Sequence, residues 1–418
     1  MTMASAGLFA LIFLAALTLD IVLHVWLALR HLRHVAAHRD AVPAAFAAHI
    51  TLAEHQKAAA YTQAKTRLGL ADFAVGVLLL LAFTYGGVLQ ALHDFWTGWL
   101  DPAGYSHGLA LFAGVALLGF VVDLPLTLYR SFVLEARFGF NKMTLPLFIT
   151  DVFKQTLIGV LVGAPVLLAV LWLMAAMGQH WWFYVWLFWL GFNLLALMLY
   201  PTLIAPLFNK FSPLADADLA ARIEALLTRC GFRASGLYVM DGSRRSAHGN
   251  AYFTGFGAAK RIVFFDTLLA RLQGPEIEAV LAHELGHYRH RHVWQRIALL
   301  AALSLAALYA LGILIEQPWF YAGLGVSARS TALALILFSL ILPVFSFLAA
   351  PVLAHISRHH EYQADAYAAG QTEAADLVGA LVKLYRDNAA TLTPDPLHSL
   401  FYDSHPPAAL RIAQLQHV

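Results

Sequence analysis

The sequence predicts a mainly α-helical membrane protein with about seven transmembrane helices and a smaller polar part that contains a small β-sheet. Of the 418 residues, 60% are hydrophobic and only 12% are charged, which is about half the charged fraction of an ordinary soluble domain. Seven apolar segments are each about 20 residues long, enough to cross the hydrocarbon core of a bilayer. They occupy residues 7–29, 69–91, 107–129, 156–177, 181–204, 297–315 and 330–354.

The positive charges predict the orientation of these helices. All but one of the 27 Lys and Arg residues lie in alternate loops, and Arg329 is the exception. Since basic residues collect on the cytoplasmic side, we expect the N-terminus outside the cytoplasm and the long segment 205–296 inside it. The first apolar segment has no Lys or Arg before it and is longer than the apolar part of a signal peptide, so we expect an uncleaved helix.

Cysteine content and net charge exclude some kinds of site. With Cys230 as its single cysteine, the chain has no intrachain disulfide and no cysteine-based metal site, which suits a cytoplasmic polar domain. The net charge of +2 gives no indication of a nucleic-acid partner.

Two cytoplasmic loops have patterns of their own. Residues 30–67 predict a polar helical connector. Residues 138–142 mix aromatic and basic side chains, which we interpret as anchors at the membrane interface, with docking onto the polar domain as the alternative.

The long polar segment predicts one helix and a small sheet. Residues 215–231 have helical periodicity that ends at Gly231. Residues 236–240 and 261–265 predict short strands, and the Gly-punctuated aromatic segment 246–257 predicts a third strand between them. An edge of such a sheet could pair with an extended peptide backbone.

Three ionisable residues lie inside predicted membrane helices. Asp20 and His24 are four residues apart in the first span, and Asp123 is in the third. Charged groups at this depth are costly, so they face a protein interior or a wet cavity. We interpret all three as interhelical contacts, with proton or substrate handling as the alternative.

The residues most indicative of chemistry are Leu-Ala-His-Glu-Leu-Gly-His at 281–287. His283 and His287 are four residues apart, so their imidazoles can bind one ion from the same face of a helix. Glu284 lies about 100° round the helix, where it can hold a water on that ion. This H-E-x-x-H pattern predicts a zinc hydrolase, which needs a third protein ligand.

A second helical run, residues 357–367, offers the third ligand. Glu361 and Asp365 are four residues apart, so one could bind zinc while the other orients a ligand histidine. His359 and His360 are the competing candidates.

Four further histidines lie close to these motifs in the sequence or follow them. We expect His248 to tether a loop, and His290 and His292 to be solvated on a basic stretch. His405 precedes two prolines, which by itself indicates a turn residue.

Together these motifs resemble the H-E-x-x-H and E-x-x-x-D pattern of the gluzincin-type membrane metallopeptidases, and in particular the type I CAAX prenyl protease family. The likeness extends to F-G-F-N-K, P-L-F-N-K, S-x-H-x-N-A-Y-F-x-G and S-H-P-P with R-I. These motifs lie at residues 138–142, 206–210, 246–255 and 404–412. The first two spans agree with the family only in position.

The resemblance implies one Zn²⁺ per chain and a defined set of site residues. It implies that Glu284 is the general base for a zinc-activated water, and that Asp365 supports a ligand or acts as an acid. It also implies that His405 helps to stabilise the oxyanion. The implied set consists of the metal ligands His283, His287 and Glu361, the catalytic residues Glu284, Asp365 and His405, and the substrate-binding residues Asn250 and Ala251.

The implied fold is a ring of seven transmembrane helices round a large chamber, and we expect four segments along the chain. Residues 1–204 would form an N-terminal transmembrane region of five helices. Residues 205–296 would form the first part of the metalloprotease domain, with the H-E-x-x-H helix. Residues 297–354 would add two membrane helices, and residues 355–418 would complete the metalloprotease domain with the third zinc ligand.

The expected partners are a lipid bilayer and a peptide or protein substrate, which in this family is C-terminally prenylated. The Ala- and Leu-rich composition favours a bacterial chain in the inner membrane, with the zinc site on the cytoplasmic side. Because bacteria generally lack prenylated proteins, turnover of membrane proteins is one alternative function. Another is a seven-helix receptor or transporter with a structural metal site, although such a site would fill zinc's fourth position with a protein ligand and would not need Glu284.

Overall fold

The computed structural model of the chain describes residues 2–254 and 261–417, and most of them are helical. The helices up to the end of the fifth membrane span are α1 (Thr2–Ala37), α2 (Leu52–Phe83), α3 (Val88–Thr97), α4 (Tyr105–Tyr129), α5 (Ala136–Phe138), α6 (Leu145–Ala176), α7 (Trp181–Leu199) and α8 (Ala205–Phe208). The later helices are α9 (Ala217–Arg229), α10 (Asp266–Leu269), α11 (Gly274–Arg289), α12 (His292–Leu314), α13 (Pro318–Ala322), α14 (Thr331–Ser346), α15 (Ala350–Ala369), α16 (Ala374–Asp387), α17 (Pro396–Tyr402) and α18 (Ala408–Leu415). The strands are β1 (Phe211–Pro213), β2 (Gly236–Met240), β3 (Ala251–Thr254) and β4 (Arg261–Phe265).

Within the described residues, seven helical stretches are long and apolar enough to cross a membrane, as predicted. The second differs from the predicted 69–91, because it covers Leu52–Phe83 and the chain turns just after it. A Cβ on Gly86 would lie 2.8 Å from the backbone of Ala82, and Gly87 has a φ of 74°. These two glycines therefore end the helix inside the apolar run. The predicted polar connector, residues 30–67, consists of the end of α1, a non-helical loop over residues 38–51 and the start of α2, so it is helical at both ends.

The membrane helices form a closed ring. Each contacts the next in the order α1, α2, α4, α6, α7, α12 and α14, and α14 returns to α1. A hydrophobic core closes the end of the ring at which the N-terminus lies, and it includes Phe13, Leu111, Leu171, Leu311 and Leu333.

The middle of the ring is not packed. Among the described residues, none is buried between Leu111 and Leu134, between Asp151 and Val170 in α6, or in α12 between its first residue and Leu311. The helices of a closely packed bundle bury an inward stripe along their length. The missing stripe indicates an open chamber inside the ring, in agreement with the predicted fold class.

The four strands form one mixed sheet in the order β1-β2-β4-β3. The strands predicted at 236–240 and 261–265 match β2 and β4, which pair in parallel. The third strand, expected within 246–257, is β3, which lies at the edge of the sheet; residues 255–257 lie outside the described residues. The predicted helix end at Gly231 is also present, with a φ of 69°. One face of the sheet packs on α9 and α11 in a second hydrophobic core.

The segment 138–142 docks onto this polar domain. Asn141 forms an isolated β-bridge with Ser246, and the backbone N–H of Lys142 donates a hydrogen bond to the carbonyl oxygen of Arg245 at 3.1 Å. Both phenylalanines of the segment are buried. The interpretation of this segment as membrane-interface anchors is therefore wrong, and the docking alternative holds.

The ionisable residues inside the membrane helices divide into two kinds. Asp20 is buried, and the Nδ1 of His24 lies 3.0 Å from its Oδ1 while the His24 ring packs on Phe347 of another helix. Asp123 is exposed, accepts a hydrogen bond from Thr127 of its own helix at 2.8 Å, and lines a cavity of about 490 Å³. The interhelical interpretation thus holds for the first pair and is wrong for Asp123.

The two helices that carry the chemical motifs pack against each other. α14 continues through a short 3₁₀ turn, Phe347–Ala349, into α15, so α15 extends a membrane helix. α11 nearly continues into α12, but Arg291 has a φ of 58° and breaks the helix between them. At the crossing, a Cβ on Gly286 would lie 2.8 Å from the Cα of Ala364.

Replacing Gly286 with Ala should destabilise the protein. The added methyl meets backbone rather than a movable side chain, so α11 and α15 must separate, at a cost of about 1–3 kcal/mol. The thermal unfolding midpoint of the purified protein in detergent should fall. Gly159→Ala in α6 is the matched control, because its Cβ would meet nothing within 4 Å, and its midpoint should be equal or higher. Equal midpoints for Gly286→Ala and the wild type would show that the close approach is not needed.

Candidate active site

The start of α11 is fixed by a capping box, and this sets the direction of its histidines. The backbone N–H of Gln273 donates to the Oε2 of Glu276 at 2.7 Å, and the Gln273 side chain accepts from the helix backbone. About two turns after Glu276, His283 and then His287 occupy the same helix face, with their Nε2 atoms 3.3 Å apart.

α15 brings Glu361 to the same point. Its Oε2 lies 3.5 Å from the Nε2 of His283, and its Oε1 lies 3.4 Å from the Nε2 of His287. The structure therefore brings the three predicted metal ligands together. One ligand atom from each lies within 4.8 Å of the other two, so the three side chains could hold one ion. The competing candidates, His359 and His360, are not part of this group. His359 is exposed, and its Nε2 lies 3.1 Å from the Nε2 of Gln363.

The geometry of these side chains fits a metal ion. Four ligands at about 2.0–2.1 Å round a tetrahedral ion lie about 3.3–3.4 Å from one another, close to the separations of 3.3, 3.4 and 3.5 Å seen here. The Oε2 of Glu361 is buried without a hydrogen-bond partner among the described residues, a costly arrangement that a cation would relieve. Two imidazoles and one carboxylate form the ligand set of a catalytic zinc site.

Asp365 lies behind His283 and accepts hydrogen bonds from two sides. The Nδ1–H of His283 donates to its Oδ1 at 2.8 Å, and Arg411 donates to both carboxylate oxygens, at 2.6 and 2.8 Å. Burial lowers the pKa of His283, but hydrogen bonds to Asp365 and Glu361 raise it more, to about 9. The potential at this point therefore favours positive charge. Arg411 comes from α18, far from α15 in sequence, and no motif of the sequence predicts this role for it.

His287 has a different partner. Its Nδ1 lies 2.9 Å from the Nδ1 of His292, whose Nε2 lies 2.8 Å from the Oε1 of Gln363 on α15. His292 is only 4% exposed, so the expectation that it is solvated is wrong, whereas His290 is exposed as expected. The helix break at Arg291 turns His292 inward, and no residue type in this stretch signals that break.

Two predicted catalytic residues remain, Glu284 on α11 and His405 near the C-terminal end of the chain. Glu284 is half-buried, and its carboxylate forms no hydrogen bond or ion pair with any residue that the structure describes. His405, between α17 and α18, has a side chain 61% exposed, and its Nε2 lies 3.5 Å from the Oε1 of Glu361. The His405 side chain is thus exposed beside Glu361, and the Glu284 carboxylate is unpaired among the described residues.

The predicted substrate-binding residues begin the edge strand. Ala251 pairs with Phe264 of β4, and Asn250 is exposed, with its Oδ1 accepting a hydrogen bond from the Ala251 N–H at 2.9 Å. Among the described residues, neither forms a hydrogen bond or ion pair with His283, His287 or Glu361. His248 tethers the preceding loop, as expected, because its Nδ1 lies 3.1 Å from the Oδ1 of Asn388.

Known proteins share both parts of this architecture. Residues 31–210 match the profile of the CAAX prenyl protease N-terminal region, five membrane helices, and residues 213–418 match peptidase family M48.

Individual relatives cover most of the chain. The CAAX prenyl protease 1 homolog of Arabidopsis thaliana is 36% identical over 373 residues, 87% of each chain. The human CAAX prenyl protease 1 homolog is 31% identical over 392 residues, 83% of this chain and 82% of the relative. The crystal structure of S. mikatae Ste24p superposes with a TM-score of 0.91 at 30% identity, over 97% of this chain and 99% of that one.

Two family profiles, full-length relatives above 30% identity and a matching fold agree with the residues in the pocket. This chain belongs to peptidase family M48 and, within it, to the CAAX prenyl protease family of multi-pass membrane metallopeptidases.

Proposed function

We propose that this chain is a membrane zinc endopeptidase that holds one Zn²⁺ per chain with His283, His287 and Glu361. The observation that carries the proposal is the convergence of two imidazole nitrogens and a buried carboxylate oxygen that has no hydrogen-bond partner among the described residues. When bound, zinc would supply a Lewis acid that brings the pKa of a water towards about 7.

Glu284 is the residue that moves the proton. It follows His283 directly, so it leaves α11 at a different angle from the ligand face, and its carboxylate is free to meet a water. As general base, Glu284 accepts a proton from the water that attacks the peptide carbonyl. It then passes that proton to the leaving amine.

His405 and Asp365 have supporting roles. The exposed imidazole of His405 stands at the rim of the pocket, where its N–H can donate a hydrogen bond to the oxyanion. Asp365 is 1% exposed and enclosed by His283 and Arg411. Because substrate cannot reach it, we assign it the role of holding His283 in the Nδ1–H tautomer, in preference to that of an acid.

β3 presents the substrate. β4 pairs with one side of β3, and no described strand pairs with the other side. An extended peptide can therefore add to the sheet there, next to Asn250 and Ala251, by backbone hydrogen bonds. This pairing orients the scissile bond before the chemistry begins.

The substrate we propose carries a C-terminal prenyl group. Relatives named CAAX prenyl protease 1 support this. The position of the metal ligands supports it too, because they lie next to the ends of membrane helices, and a lipidated chain end is held at the membrane. Nothing in the structure or the relatives favours the two alternatives, membrane-protein turnover without a prenyl group and a non-catalytic receptor or transporter.

The location and the segment division also stay proposals. The distribution of positive charges supports a zinc site on the cytoplasmic side. A bacterial inner membrane is supported only by the Ala- and Leu-rich composition, because the relatives named above are eukaryotic. The change of family profile between residues 210 and 213 supports a boundary near 205.

Glu284→Gln should lower kcat on a farnesylated peptide by about 10²- to 10⁴-fold, because the general base is lost. Zinc content, measured on the same sample, should remain one per chain, whereas Glu361→Ala should lose zinc as well as activity. Glu278→Gln is the matched control, because Glu278 lies on the same helix and pairs with two exposed arginines, Arg222 and Arg229, instead of facing the metal ligands. Cleavage by Glu284→Gln at the wild-type rate would disprove the assigned role.

A farnesylated peptide should be cleaved with a kcat/KM more than about 10-fold above that of the same peptide without the lipid. Burying only two methylene-sized groups contributes about 1.6 kcal/mol, which already exceeds that factor. Equal kcat/KM values for the two peptides would favour turnover of unprenylated membrane proteins instead.

A further inference from the structure

We propose that His292 is a positioning residue for the metal site, holding His287 through a one-way chain of hydrogen bonds. The chain joins the Nδ1 of His287 to the Nδ1 of His292 at 2.9 Å and the Nε2 of His292 to the Oε1 of Gln363 at 2.8 Å. The Nε2 of Gln363 then reaches the Nε2 of His359 at 3.1 Å. This inference rests on the proposed role of His287 as a metal ligand.

The direction of the chain follows from the chemistry of imidazole. A ligand nitrogen carries no proton, so a neutral His287 that binds metal through Nε2 carries its proton on Nδ1. That N–H donates to His292, whose Nδ1 must therefore be bare and whose proton lies on Nε2. The Nε2–H of His292 donates to the side-chain Oε1 of Gln363, and the side-chain NH₂ of Gln363 donates to the Nε2 of His359. Each link of the chain then joins one donor to one acceptor.

The fold fixes His292 from two sides. The positive φ of Arg291 breaks the helix, so that His292 starts α12 and returns to His287. Its ring stacks on His360 of α15, with centroids 4.0 Å apart and planes 10° apart. The position of His287 is thus tied to the ends of two membrane helices.

The two metal histidines are supported differently, and the difference has an electrostatic reason. His283 rests on the carboxylate of Asp365, which Arg411 neutralises, while Glu361 supplies a further negative charge. With Glu361, Asp365 and Arg411 counted, a divalent ion held by this set would keep one net positive charge, which could polarise a water. A second carboxylate behind His287 would cancel that charge, whereas a neutral imidazole orients the ligand without doing so.

The test compares His292→Phe with His292→Asn. Phe keeps the ring and removes the acceptor, and should weaken zinc binding by about 10- to 100-fold. Asn keeps an acceptor near the position of Nδ1, and should recover most of that loss. The zinc dissociation constant is measured by competition with a chromophoric chelator, on the full-length protein in detergent. His355→Phe is the control: His355 is an exposed histidine of α15 and its replacement should leave the constant unchanged.

Wild-type affinity in His292→Phe would overturn the inference. So would an Asn variant as weak as Phe, since an acceptor at this position would then not restore zinc binding. If His292→Phe shows no cooperative unfolding, Gln363→Met replaces it, with an expected loss of about 10-fold; unchanged affinity there would also overturn the inference. A wild-type protein that binds no zinc would overturn the proposed function itself. Zinc binding by the wild type with no effect of the His292 and Gln363 variants would overturn this inference alone.

Discussion

The site depends on how closely α11 and α15 approach each other. A β-carbon at Gly286 would lie 2.8 Å from the Cα and 3.0 Å from the carbonyl oxygen of Ala364, so this contact requires a residue without a side chain. Gly286 directly precedes the ligand His287, and Ala364 directly precedes Asp365. This contact therefore sets the separation between the histidines of α11 and the carboxylates of α15.

The site also contains buried charges of opposite sign, and each lies within hydrogen-bonding distance of the other. Asp365 and Arg411 are 1% and 6% exposed, and their paired hydrogen bonds of 2.6 and 2.8 Å offset the cost of removing both from water. The same pair holds His283. Because α12 follows α11 and α14 leads into α15, the candidate site lies at one end of the ring of membrane helices.

Local patterns predicted much of this arrangement. An apolar run of about 20 residues has few structural alternatives, and helical spacing joins His283 to His287. The pairing of α11 with the Glu361 helix came from the family resemblance.

Features that depend on distant contacts could not be predicted. Arg411 lies 46 residues from Asp365, and the end of α2 depends on a glycine turn inside an apolar run. His292 faces the pocket only because the helix breaks at Arg291. The catalytic roles of Glu284, Asp365 and His405 remain predictions.

X-ray absorption at the zinc edge tests most directly that one ion is held between α11 and α15. On protein loaded with one zinc per chain, we expect four ligands at about 2.0–2.1 Å, of which two are imidazoles and the others are oxygen. A spectrum with three imidazoles would place another histidine on the metal, and one with a single imidazole would separate His283 from His287. Either result would contradict a site built from His283, His287 and Glu361.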